Sequence, residues 1–129
     1  MRNTRTFSDI DLNFLPNPAT GDISKRYDDN AIKAAVKNLV LTRNYERPFH
    51  SEIGSPIKSL LFNPAGPMLN ATLKRAITDV IENFEPRVVL MDVNVNSNPD
   101  NNSVYVTIVF RIANTQKPIN LDVILQRTR

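Results

Sequence analysis

The sequence predicts an α+β fold: three helices packed on one face of a three-stranded antiparallel sheet, with an extended N-terminal arm. Three observations lead there. Apolar residues recur at helical spacing as far as Phe84, the period changes to two just after Pro86, and the stretch before about Lys25 keeps no period. Helices followed by strands with short polar connections fit a meander that buries one face under the helices.

The arm comes first. Asn13, Pro16, Asn17, Pro18 and Gly21 interrupt any regular structure, yet Ile10, Leu12, Phe14 and Leu15 are too apolar for a solvated tail and are expected to lie against the body or a partner. Residues 1–25 are therefore read as the arm and 26–129 as one domain, since 129 residues fill one core and would leave two marginal. Asp28, Asp29 or Asn30 caps a first helix over about 30–42, buried through Ile32, Val36, Leu39 and Val40. Pro48 and Gly54 mark a loop, and Ile57, Leu60, Leu61 and Phe62 suffice for a short second helix that Asn63-Pro64-Ala65-Gly66 ends. Pro67 suits the first turn of a third helix, with Leu69, Leu73, Ala76, Ile77, Val80, Ile81 and Phe84 on its buried side. Three strands follow. Met91, Val93 and Val95 alternate, then Val104 to Ile112, then Ile119 to Leu125, with loops over 96–103 and 114–118.

Composition excludes several classes of function. Without cysteine there is neither a disulfide framework nor a thiolate site. No run approaches a membrane span, and a chain that is soluble and unprocessed is expected. The net charge of +3 is spread along the chain instead of forming a basic stripe, so nucleic acid is not an expected partner. The inventory for catalysis is thin: one histidine, His50, sits in a loop, and Gly21, Gly54 and Gly66 are too far apart to cradle a phosphate. Glu46 and Glu52 share the His50 loop, but Arg43, Arg47 and Lys58 hold carboxylates in the charged form, the wrong state for the general acid of a glycosidase. Asp9 and Asp11 lack the third ligand and glycine turn of a calcium loop. No metal or cofactor is implied.

Two places break local rules. Glu85 stands at the negative end of the third helix, where an acid is disfavoured by ~0.3–1 kcal/mol, so a compensating partner is expected. Pro86 then ends the helix and fixes the direction in which Arg87 leaves. The second place is the cluster of Arg43, Arg47 and Pro48-Phe49, cationic forks beside an apolar anchor. From the residues alone Glu85 can pair with Arg43, with Arg47 or across an interface, or the corner can be a plain helix stop.

With these residues in view, the chain resembles the small baseplate wedge protein family of contractile-tailed phages, the gene-product-twenty-five or W-like proteins related to TssE of type VI secretion. The resemblance is carried by Phe7-Ser8-Asp9-Ile10-Asp11-Leu12-Asn13-Phe14, then Arg43, Arg47-Pro48-Phe49, Glu52, Gly54 and Leu61-Phe62, then Asn83-Phe84-Glu85-Pro86-Arg87-Val88. It implies a non-enzymatic subunit of a sixfold baseplate ring, assembled in the bacterial cytoplasm, that joins the wedge core to the first sheath layer. It also implies that Glu85, Pro86 and Arg87 dock on the core bundle, and that a sheet edge, 119–127 or 88–95, accepts a sheath strand. The same resemblance places Arg43, Arg47, Pro48, Phe49, Asp9, Asp11 and Phe14 among the partner-binding residues. The alternatives are a lysozyme-like peptidoglycan hydrolase, a label borne by some relatives, and an anti-adaptor-like regulator.

Overall fold

The computed structural model describes residues 8–10, 14–22, 25–113 and 115–126. The expectations placed on Asp11, Leu12 and Asn13 of the arm, on Asn114 and on the tail from Arg127 lie outside these residues. Two compact units divide the chain, Met1–Ala35 and Val36–Arg129.

The first unit holds a feature that the aperiodic arm did not announce. Strand β1 (Ser8–Ile10) pairs antiparallel with β2 (Lys25–Tyr27), Ser8 opposite Tyr27 and Ile10 opposite Lys25. Between them the Gly21 amide donates to the Asn17 carbonyl at 2.7 Å, and the Asn17 side chain accepts from the Ala19 amide at 3.0 Å. Gly21 has φ +70°, a conformation in which glycine carries no Cβ penalty. Three-residue strands escape a period-two search because they are too short to show alternation.

Helix α1 (Asp28–Leu41) begins in the first unit and ends in the second. Its first turn carries Asp28 and Asp29, favoured there by the helix dipole, and the predicted stripe of Ile32, Val36, Leu39 and Val40 is buried. Helix α2 (Ile57–Leu60) packs on α3 (Pro67–Phe84), whose Pro67 opens the helix as expected. Leu69, Leu73, Ile77, Val80 and Ile81 of α3 are buried, while Ala76 and Phe84 at the margins of the stripe are only partly covered. Removing each such leucine or isoleucine side chain from water contributes about 1.5–3 kcal/mol.

Helix α3 lies against β3 (Val88–Asn98), the first strand of an antiparallel sheet in the order β3-β4-β5, with β4 Ser103–Ile112 and β5 Pro118–Gln126. The α+β class, the three helices and the three-stranded meander stand as predicted. The inner face is lined by Val104, Val106, Ile108, Phe110 and Ile112 of the central strand, all buried, flanked by Ile119, Val123 and Leu125.

Two details of β3 differ from expectation. The alternation of Met91, Val93 and Val95 placed Met91 on the inner face, but Met91 is 58% exposed. A bulge causes this: Leu90 pairs with Phe110 and Asp92 with Val109, so Met91 is skipped. The extra residue exchanges the parity of the strand, and Val88 and Leu90 before it share a face with Val93 and Val95 after it. Asp92 terminates the irregularity by accepting the Val93 amide at 2.8 Å. The strand also runs into the predicted loop, because Asn96, Ser97 and Asn98 pair with Tyr105, Val104 and Ser103. Asparagine and serine are poor strand formers, so only the register with β4 holds them extended.

Candidate docking surfaces

The corner between α3 and β3 is built from three consecutive residues. Glu85 caps α3, its amide donating to the Ile81 carbonyl at 3.0 Å, with φ −125° and ψ 83° as the following proline requires. Pro86 then occupies the second position of a turn closed by the Val88 amide on the Glu85 carbonyl at 3.3 Å. The Arg87 carbonyl accepts from the Ala113 amide at 2.8 Å, which fastens the corner to the end of β4. With the backbone held at both ends, the two side chains meet as a fork on a fork: Arg87 Nε donates to Glu85 Oε1 at 2.7 Å and Nη2 to Oε2 at 2.9 Å. Glu85 is 7% exposed. The Arg87 side chain is 35% exposed, so the pair joins a covered acid to a partly exposed cation.

This answers the anomaly at the helix end. The compensating cation for Glu85 is Arg87, two residues on, and neither Arg43 nor Arg47 fills that role among the described residues. Residues two apart do not face each other on a helix, which is why sequence reasoning looked further away. Pro86 removes that restriction by turning the chain.

Arg43, Arg47, Pro48 and Phe49 lie together in the loop between α1 and α2, and all four are exposed. A base that sequence reasoning missed holds this loop. The buried Ser55 hydroxyl donates to the Val40 carbonyl at 2.7 Å and its amide to the Thr42 carbonyl at 2.9 Å, while Arg43 and Ser55 form a parallel bridge. Gly54, at φ +153°, lies so close that a Cβ there would fall 2.5 Å from the Arg43 carbonyl oxygen. The signal available in the sequence was the Gly-Ser pair closing a loop, whose need for glycine depends on a contact eleven residues away.

Within the loop, Glu46 accepts the Arg43 amide at 2.8 Å, and Glu52 lies 3.3 Å from His50 Nδ1. Hydrogen bonds from its own backbone amide and from His50 hold the Glu52 carboxyl below the ordinary carboxylate range. A depressed acid stays ionised at neutral pH, which is opposite to what the proton donor of a glycosidase needs. Any stability that this contact contributes is present above the ordinary carboxylate pKa and is lost as pH falls through the depressed value. Among the described residues, no group of three or more His, Asp or Glu side chains is arranged to hold a metal ion, and no helix is long and apolar enough to cross a membrane.

In the first unit, Asp9, Ile10, Phe14 and Leu15 are exposed, and Phe14 adopts φ 53°. The arm lies in the first unit and the loop in the second.

The sequence pattern of the family described as baseplate wedge protein gp25 matches residues 26–117, from within β2 through the corner to the residue before β5. The chain belongs to this baseplate wedge family. It is 30% identical over 108 residues to baseplate wedge protein gp25 of Enterobacteria phage T4, spanning 84% of this chain and 81% of that one. The fold recurs in a Geobacter sulfurreducens protein provisionally described as a tail lysozyme, with TM-score 0.70 and 17% identity over 76% of this chain and 89% of the other. It recurs again in the anti-feeding prophage baseplate, with TM-score 0.65 and 17% identity over 95% and 87% of the two chains. At 17% identity the Geobacter likeness is one of fold and carries no hydrolytic chemistry to this chain. A baseplate wedge protein is a structural component and not an enzyme.

Proposed function

We propose that this wedge protein joins the wedge core of a contractile tail or injection machine to the first sheath layer, around a sixfold baseplate ring, and helps start sheath assembly. The observation that carries this reading is the Glu85–Arg87 fork, a charged pair whose acid is covered and whose arginine side chain is partly exposed, next to the exposed Pro86. Glu85 sets the orientation of Arg87, the turn at Pro86 sets its position, and a partner in the wedge core meets a surface that is already ordered. The arm residues Asp9, Phe14 and, in the segment outside the description, Asp11 serve as a second partner contact, consistent with the exposed apolar side chains of Ile10, Phe14 and Leu15.

The sheath side is the edge of β5. Among the described residues both β3 and β5 have a single strand neighbour, but β3 is broken by its bulge, a common device against edge pairing. Strand β5 runs in unbroken register from Pro118 opposite Arg111 to Gln126 opposite Ser103, and carries no Lys or Arg and no Pro after its first residue. A long, sparsely charged edge in unbroken register is suited to accept an extended segment through backbone hydrogen bonds.

Two measurements test the reading. Arg87→Lys keeps the charge and loses the two-pronged contact, so the purified variant is expected to stay folded while tail assembly in a complemented deletion strain fails. Full assembly would refute the role of the corner. Hydrogen exchange should show alternate β5 amides open in the free protein and protected in the assembled baseplate, with β3 amides unchanged. Protection that appears on β3 instead would move the sheath contact to the other edge.

A further inference from the structure

The loop over 43–54 carries more than its place in the fold requires. Its two aromatic residues, Tyr45 and Phe49, adopt φ +67° and +68°, in the left-handed region that bulky residues avoid. Side-chain packing against the described residues does not offset this, because Tyr45 is 82% exposed and Phe49 fully so at 101%. The strain is nevertheless held firmly. The Tyr45 amide donates to the Ser51 carbonyl at 2.8 Å, the Ile53 amide to the His50 carbonyl at 3.1 Å, and the pinch at Gly54 and Ser55 closes the base. A strained backbone that survives because its surroundings fix it points to a use for the shape.

The charges of the loop say what that use is. Glu46 is engaged by the Arg43 amide and Glu52 by His50, so both acids are partnered inside the loop. Arg43 and Arg47 are exposed and make no ion pair among the described residues. The outward surface is therefore two aromatic rings with two unpaired cationic forks, the residue types that dominate the energetic centres of protein interfaces.

We infer that this loop is a preorganised tooth: Phe49 and Tyr45 enter an apolar pocket on another protein subunit, and Arg43 and Arg47 pair with carboxylates on the rim of that pocket. Bidentate arginine contacts fix the orientation, and the rigid loop keeps the ordering cost low. This partner chemistry deepens the reading of the chain as an assembly subunit and rests on it, but it uses a surface distinct from the Glu85–Arg87 corner.

The test uses the full chain carrying the photo-crosslinking residue p-benzoylphenylalanine in place of Phe49, produced in a strain lacking the native gene and irradiated in assembled particles. The expected product is one crosslink to an apolar segment flanked by Asp or Glu in a different subunit. Phe49→Ala and Arg47→Glu should each weaken that association by about thirtyfold, the usual effect of removing an interface anchor. Reversing the charge of the crosslinked carboxylate should restore assembly to the Arg47→Glu variant. Phe49→Gly should leave the melting temperature unchanged or raise it, since it relieves a left-handed residue that touches nothing. A crosslink to a second copy of this chain, to nucleic acid or to no protein overturns the inference, and so does a clear fall in melting temperature for Phe49→Gly. If Phe49 variants assemble while Arg87→Lys does not, the tooth fails and the assembly role stands; if both assemble normally, the assembly role fails as well.

Discussion

Replacing Arg87 with alanine is expected to destabilise the isolated protein by about 3 kcal/mol, near the lower end for breaking a buried ion pair. The loss comes mainly from what remains behind. Both carboxylate oxygens of Glu85 are bonded to Arg87, and at 7% exposure the stranded acid has little access to water. Glu85→Ala should be milder, about 1 kcal/mol, because the Arg87 side chain is already 35% exposed and its cation can be hydrated. The asymmetry is the informative quantity. Urea denaturation of the two single variants and the double variant gives both losses and their coupling. Equal losses would mean that the burial of Glu85 is not what makes the pair matter.

Gly54→Ala should have a comparable effect for a different reason. A Cβ at this position meets backbone atoms only, at 2.5 Å from the Arg43 oxygen, 2.6 Å from its carbon and 2.8 Å from the Asn44 nitrogen, and the φ of +153° is one that L residues rarely adopt. Relief requires opening the Ser55 contacts to Val40 and Thr42 that close the loop, so strain and lost hydrogen bonds add to about 3 kcal/mol. In a chain of this size that is a fall in melting temperature of roughly 10 °C. Gly66→Ala is the control. Nothing lies within 4 Å of its would-be Cβ and its backbone is extended, so a near-neutral change is expected there. Similar losses at both glycines would show that the tight contact at Gly54 is not the cause.

The candidate docking residues stood out in the sequence as sets but not as arrangements. Glu85-Pro86-Arg87 stood out because an acid at a helix C-terminus is a local anomaly, and the arginines and Phe49 stood out as an unusual cluster in a loop. The pairing of Glu85 with Arg87 did not follow, since it depends on the turn at Pro86 and on the Ala113–Arg87 hydrogen bond that orients it. Tyr45 was missed altogether. Its exposure and left-handed backbone arise from the closed loop, and the residue alone reads as a routine aromatic.

What the sequence determined by itself was what repeats locally. The apolar stripe of α3, the switch to period two after Pro86 and the loops marked by proline and glycine each depend on neighbours within one or two turns of chain, and they specified the α+β class. What only the tertiary structure decided was which distant groups meet. The bulge at Met91 keeps one face of β3 inward by exchanging parity halfway, the strand continues through Asn96 to Asn98 because β4 lies opposite, and Gly54 is required because Arg43 passes beside it. Each of these is a choice among hydrogen-bond and packing partners far apart in sequence, and only folding brings those partners within range.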